Sequence, residues 1–439
     1  MLTNIFIKSI LSLILAIIFI SCSKVEVKKE IYDLKYIPQN VESYTNDINL
    51  SSKTKVDEKL YKEKYFRAWN KEPKFTLKNI LWPFNSFKPT NSYGENLQHI
   101  NQTFFDKMRL NGNFENYLKL KKKAITIRYT NLRVFPTDRP LFRNPEKAGE
   151  GFPFDYLQNS SILPNKPLLI SHYSKDKNWV YAFSSFANGW LKVSDIVFLD
   201  SDIVTKWQNS ELVYIIKEGI PLYTIDGDGL FNSKIGTSFL LLDENKYNYK
   251  VLVIKNNGFS KPIYLESYLS KTIAIKNILE FNKKNIDRII NEVSKVNYGW
   301  GGLYGQRDCS STMRDYFTPF GIWLPRNSYV QSKVGTVIEL KNLDEETKLE
   351  MIKREGVPFK TLLYRKGHIV LYVGMYKDDV IIFQNMWGIK TKKNGEYGRI
   401  VVGKPVFSTL KIGNKQDYFD EDSTLLKNLR SMNIVTQIM

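Results

Sequence analysis

Asp308-Cys309-Ser310-Ser311-Thr312-Met313-Arg314-Asp315-Tyr316-Phe317-Thr318-Pro319-Phe320-Gly321 combines a helical apolar repeat with a cysteine at its start. Met313, Tyr316, Phe317 and Phe320 fall at i, i+3, i+4 and i+7, the spacing of an amphipathic helix, and Gly321 ends it. Cys309 lies in the first turn, where the unpaired N–H groups and the positive end of the helix dipole favour a thiolate. Upstream, Ile286, Ile289, Ile290 and Val293 repeat the helical spacing, and a loop follows at Tyr298-Gly-Trp-Gly-Gly. Downstream comes Leu324-Pro-Arg-Asn-Ser-Tyr-Val-Gln331, then a strand from His368 to Gly374, a Lys377-Asp-Asp turn and a second strand from Val380 to Asn385. Helices followed by a hairpin define an α+β domain over 275–410.

His368 is the only histidine of that domain and opens its strand directly after Gly367. An imidazole there can serve as base toward Cys309 and as acid toward a leaving amine. A third polar group must fix its tautomer. Gln384 and Asn385 are adjacent candidates on the partner strand: a two-residue turn at 378–379 puts Asn385 on the face of His368, and an odd-length turn puts Gln384 there. An isolated cysteine is by default an inert small hydrophobe; Asp-Cys-Ser-Ser at a helix start argues against that reading. His99 and His172 have no such partners in sequence and read as ordinary surface or barrel histidines. Trp300 and Trp387 fit a core or a subsite wall equally well, and Gly301-Gly302 fits a turn or a close backbone approach to substrate.

Ahead of this domain, short β-branched and aromatic runs between turn residues mark two adjacent all-β barrels over 121–200 and 201–274. Residues 24–50 are polar and partly linker-like, and the rest of 22–120 reads as helical, with a break at Trp82-Pro83. Residues 411–439 are acidic, then helical in pattern, with no assigned role.

The first 21 residues carry one charge, Lys8, ahead of an apolar run from Ile10 to Ile20. That run suits a secretory signal and falls short of the ~20 residues of a membrane span. Phe19-Ile20-Ser21-Cys22 resembles a bacterial lipobox, which makes Cys22 the lipidation site and the membrane a partner through a lipid anchor. Ser23 after it favours release to the periplasmic face of an outer membrane. With Cys22 lipidated, Cys309 stands alone in an oxidising compartment and has no internal disulfide partner.

The 439 residues allow two to four domains. Hydrophobic content of 43% with 26 Tyr, 26 Phe and 8 Trp excludes a disordered chain. Two cysteines exclude a disulfide scaffold, and three histidines make a zinc hydrolase a poor fit. No phosphate loop or ligand cluster calls for a cofactor or metal. A net charge of +19 suits anionic headgroups and acidic wall polymers; nucleic acid is a poor partner for an exported chain.

Tyr298-x-Trp-Gly-Gly, Asp308-Cys-Ser, Gly321-Ile-x-Leu-Pro-Arg-x-Ser and Gly367-His368, in this order, resemble the NlpC/P60 cysteine peptidases of bacterial cell walls over about 280–405. Phe152-Pro-Phe-Asp-Tyr-Leu-Gln-Asn-Ser160 with Gly189-Trp-Leu-Lys-Val-Ser-Asp, and Pro221-Leu-Tyr with Ile235-Gly-Thr, resemble the two bacterial SH3 units of one branch of that family, which follow a helical N-terminal stabilising region. The resemblance implies a papain-like catalytic domain behind two SH3-like barrels. It implies a γ-D-glutamyl-L-diamino acid endopeptidase acting on peptidoglycan stem peptides. Cys309 then matches the nucleophile, His368 the base and Gln384 the third residue, often histidine in the family. Tyr298 and the Cys309 N–H match oxyanion donors, Trp300 a substrate wall, and Asp308 and Ser310 shape the stem-peptide pocket. Where members that demand a free L-Ala amine carry aspartate before the motif serine, this chain has Asn327 before Ser328, with Asp155 or Tyr156 as replacements. Two other readings stand beside this one: a catalytically weak or inactive murein-binding lipoprotein, and a cysteine amidase or transferase on the same architecture.

Overall fold

The computed structural model describes residues 30–46, 58–147, 149–258 and 261–435. The signal segment and Cys22 lie outside the described residues. Among the described residues no helix is long and apolar enough to cross a membrane.

The cysteine helix spans Cys309–Phe317, and its apolar residues Met313, Tyr316 and Phe317 are fully buried. Beside it lies the helix Lys283–Val293, whose Ile286, Ile289, Ile290 and Val293 are likewise at 0% exposure. The two share one core with Phe359, Leu362, Ile369, Leu371, Ile381 and Phe383. Both helical faces thus pack on a six-stranded antiparallel sheet. Its strands run in the order 336–339, 431–434, 361–365, 368–376, 379–393 and 396–409. The second of these comes from the tail. Residues 431–434 form a strand hydrogen-bonded on both sides, so the described part of the tail completes this sheet. Among the described residues the helical pattern there yields a 3-10 turn, Glu421–Ser423, and the short helix Leu425–Asn428.

A seven-stranded antiparallel sheet from 122 to 198 makes the first β domain. Five strands between 212 and 275, with a two-stranded ribbon at 221–223 and 229–232, make the second. A helix, Ser201–Asn209, joins them and buries Trp207 completely. The N-terminal helices act as ties. Trp69 Nε1 donates to the carbonyls of Ala124 (3.1 Å) and Leu168 (3.2 Å), and the Tyr65 hydroxyl donates to Asn165 O and accepts from Ser238, so this region bridges both β domains.

The expectation of a linker in 24–50 fails for 30–46. Asp33 accepts from Thr409 N, Thr409 Oγ1 and Gly413 N. Gln39 exchanges two hydrogen bonds with the Phe407 backbone, and Tyr44 stacks on the Phe407 ring at 4.9 Å. Polar residues in this segment thus satisfy the edge of the catalytic sheet, which composition alone reads as solvated.

Candidate active site

The Asp308 carboxylate caps the cysteine helix by accepting from Ser311 N at 2.8 Å. Arg326 grips both its oxygens (3.1 and 2.6 Å) and donates from Nε to Ser160 of the first β domain. Ser310 Oγ donates to Asp308 and accepts from Arg326. Asp308 and Ser310 are therefore locked in a buried clamp behind the nucleophile. In the sequence Arg326 and Ser160 stand only inside the quoted motifs, and nothing there pairs them with Asp308.

Cys309, at 8% exposure, and His368 line one cavity of about 280 Å³ together with Gln384, Tyr298, Trp300 and Trp387. His368 opens its strand, and the next amide, that of Ile369, favours the Cys309 thiolate by hydrogen bonding. Ser408 Oγ donates to Thr409 O, so it accepts from Gln384 Nε2 at 2.8 Å. Gln384 Oε1 is thereby turned toward His368 Nε2, also at 2.8 Å. An amide oxygen only accepts, so Nε2 carries the proton and Nδ1 is the basic nitrogen.

Gln384 and not Asn385 reaches His368 because of a bulge. The hairpin turn is two residues, with Tyr376 opposite Asp379, a parity that selects Asn385. The register then shifts between Tyr372 and Gly374, which reverses the parity and brings Gln384 to the histidine face. Asn385 instead donates to Arg307 O and Thr312 Oγ1 under the cysteine helix.

Burial, then the charge on Asp308, pushes the Cys309 thiol up to about 12. Burial brings the His368 imidazole down to about 4 against its bond to Gln384. Burial, then the Asp308 carboxylate, thus oppose the preference of the helix start for thiolate, and burial favours the neutral imidazole. Burial, then Cys309 and Asp308, hold Tyr298 well above the usual phenol range, so its hydroxyl stays a donor.

Trp300 donates from Nε1 to Asp155 O at 2.9 Å and packs edge-on against Phe154 of the first β domain, which also lines the cavity. Gly301 and Gly302, both at positive φ, serve that interface: a Cβ on Gly301 would lie 2.7 Å from Gln158 O. The close approach in this structure is to the neighbouring domain.

The proposed ammonium partners sit elsewhere. Asp155 is buried, with its carboxylate taken by Arg133 at 2.6 Å and by the amides of Leu141 and Leu157. The Tyr156 hydroxyl donates to Glu150. Asn327 is exposed and caps the helix Ser328–Gln331 by accepting from Val330 N. Asn327 and Ser328 do not line the cavity. Residues that do line it, and that sequence reasoning missed, include Arg365, Arg399 and the tail's Phe419 and Leu425.

Family models match along the chain: the NlpC/P60 stabilising domain at 11–117, an SH3 domain of SH3b1 type at 140–192, one of SH3b2 type at 200–246 and the NlpC/P60 family at 295–394. The structure of a novel NlpC/P60 endopeptidase from Photobacterium damselae subsp. piscicida is similar over 91% of this chain and 97% of that one, at 24% identity and a TM-score of 0.79. An NlpC/P60 family protein from Bacillus cereus aligns with 72% of this chain and 99% of its own, at 16% identity and a TM-score of 0.47. No curated protein matches the chain significantly.

Proposed function

We propose that this chain, which belongs to the NlpC/P60 family of cysteine peptidases and carries its stabilising and two SH3 domains, cleaves the γ-D-glutamyl-L-diamino acid bond of peptidoglycan stem peptides. The observation that carries this is the chain of hydrogen bonds Ser408–Gln384–His368 ending in the cavity that Cys309 lines. His368 Nδ1 takes the thiol proton as sulfur attacks the γ-carbonyl of D-glutamate, so the ion pair forms only with the new bond. Tyr298 and the Cys309 N–H, the first amide of its helix and without an intrahelical acceptor, donate to the oxyanion. The imidazolium then protonates the departing amine, and water releases the thioester. Gln384 orients the ring but leaves imidazolium uncompensated, which sets a slower acylation than a carboxylate would give.

The Asn327 position lacks the counter-charge for a free L-Ala amine, and neither Asp155 nor Tyr156 replaces it, so a blocked N-terminus is tolerated. The test is mass spectrometry of L-Ala-γ-D-Glu-diaminopimelate peptides, free or muramyl-blocked, after incubation with protein lacking residues 1–22. Cleavage after γ-D-Glu that disappears in Cys309→Ala is the expected result. Uncut peptides with an unreactive thiol would leave a murein-binding protein, and a product of different mass an amidase or transferase.

Export and lipidation at Cys22 complete the proposal and place the enzyme on the periplasmic face of the outer membrane. Palmitate labelling that vanishes in Cys22→Ala checks it; equal labelling of both proteins refutes it.

A further inference from the structure

The cavity around Cys309 and His368 is lined by Arg365, Lys366, Lys390 and Arg399, and by no Asp or Glu. Two of these cations have partners inside the protein. Arg365 donates to Ser423 O at 2.9 Å, and Lys390 lies 3.3 Å from Asp420. Arg399 does not: its Nε is buried without a hydrogen-bond partner, and no carboxylate among the described residues pairs with its guanidinium. Glu150, whose charge reaches it, is bonded to Tyr156 instead. Arg399 also stands directly opposite Lys390 in the hairpin, a like-charge pairing that weakens a sheet unless something else requires it. The first β domain makes room for the group. Gly149 has no side chain where a Cβ would meet the guanidinium at 2.1 Å, and the Phe154 ring lies 5.9 Å from its centre.

Arg399 lines the cavity with no carboxylate among the described residues to neutralise it, and its planar fork matches a carboxylate in both shape and charge. We propose that Arg399 binds a substrate carboxylate beside the scissile bond, which makes the site selective for stem peptides carrying that charge. This rests on the endopeptidase reading above. Carboxylates lie on both sides of the bond in such a peptide: the α-carboxylate of D-glutamate on one side and those of the diamino acid on the other. Arg399 gives recognition here, whereas the reaction itself stays with Cys309 and His368.

The experiment measures peptide binding by calorimetry to the Cys309→Ala protein, with and without Arg399→Gln. The probes are L-Ala-γ-D-Glu-diaminopimelate, its isoglutamine form, and a form with both diaminopimelate carboxyls amidated. One amidated peptide is expected to bind at least tenfold more weakly than the parent. Arg399→Gln should lower parent affinity by a similar factor and leave that amidated peptide unchanged, which identifies the carboxylate. Equal affinity for all three peptides, or equal weakening of all three by Arg399→Gln, overturns the proposal. If Arg399→Gln melts early, Arg399→Lys replaces it: retained charge without the fork should recover only part of the discrimination, and full retention overturns the bidentate assignment. Wild-type protein that discriminates the peptides but cuts none would sink the endopeptidase reading while leaving the carboxylate site standing.

Discussion

At the scale of single residues, Gln384 has the sharpest consequence. Its amide is held between Ser408 and His368 with both ends assigned, so the imidazole tautomer depends on it. Gln384→Ala should lower kcat on γ-D-glutamyl peptides by roughly 10- to 100-fold, part of the roughly 100- to 10,000-fold that a positioned general acid–base supplies, since the imidazole remains but loses its orientation. KM should move little, because Gln384 sits behind the histidine. A rise in KM with kcat unchanged would mean that the residue serves binding alone. Two histidines also tie stability to pH. Burial brings His172 and His368 to about 4, below the ordinary 6.5, so the unfolded chain binds protons that the folded one refuses. Stability is full above about 6.5 and falls as pH drops from there to about 4, by roughly 3 kcal/mol for each group. Denaturant midpoints between pH 7 and pH 4 check this, and His172→Gln should flatten the slope by about half.

At the scale of elements, the contact between the strand Gln158–Ile162 and the Trp300–Gly305 turn joins the first β domain to the active site. Gly301 has φ of 58° with Gln158 O only 2.7 Å from a would-be Cβ, whereas Gly305 has φ of 72° and nothing within 4 Å. Gly305→Ala should cost only the left-handed penalty, about 1 kcal/mol. Gly301→Ala adds a backbone clash and should cost roughly 2–3 kcal/mol, with faster alkylation of Cys309 as Trp300 and Phe154 part. Equal melting of the two variants would contradict the interface. The elements most legible in sequence were those whose periodicity is local. The cysteine helix follows directly from Met313, Tyr316, Phe317 and Phe320, and the helix before it from its isoleucines. The hairpin shows the limit: the sequence leaves the turn length open, the turn proves to be two residues at 377–378, and the bulge between Tyr372 and Gly374, marked in sequence only by the glycine, turns the choice from Asn385 to Gln384. Likewise the Asp308 carboxylate beside the thiol is held by Arg326, and Arg326 by Ser160, contacts that span distant parts of the chain.

At the scale of the whole molecule, the catalytic domain does not end where its motifs do. The tail strand Ser431–Ile434 pairs with Thr336–Glu339 on one side and with Thr361–Arg365 on the other. Around it Leu425, Leu426, Leu429, Met432 and Val435 are all buried. At about 1.5–3 kcal/mol for each such side chain, their removal costs on the order of 10 kcal/mol, comparable with the whole stability of a domain. The sequence of this tail is acidic and then short-patterned because its strand is brief and takes its hydrogen bonds from distant partners, so no local period announces it. A chain ended at residue 410 should therefore fail to form the catalytic domain, not merely lose an ornament. Cys309 offers the readout: in the full chain it is 8% exposed and should react slowly with a thiol reagent, and in the truncated chain it should react at the rate of a free thiol. The two β domains have their own cores and should keep their far-ultraviolet β signal. Slow, native-like labelling with retained peptide cleavage in the truncated protein would show that the sheet closes without its tail strand.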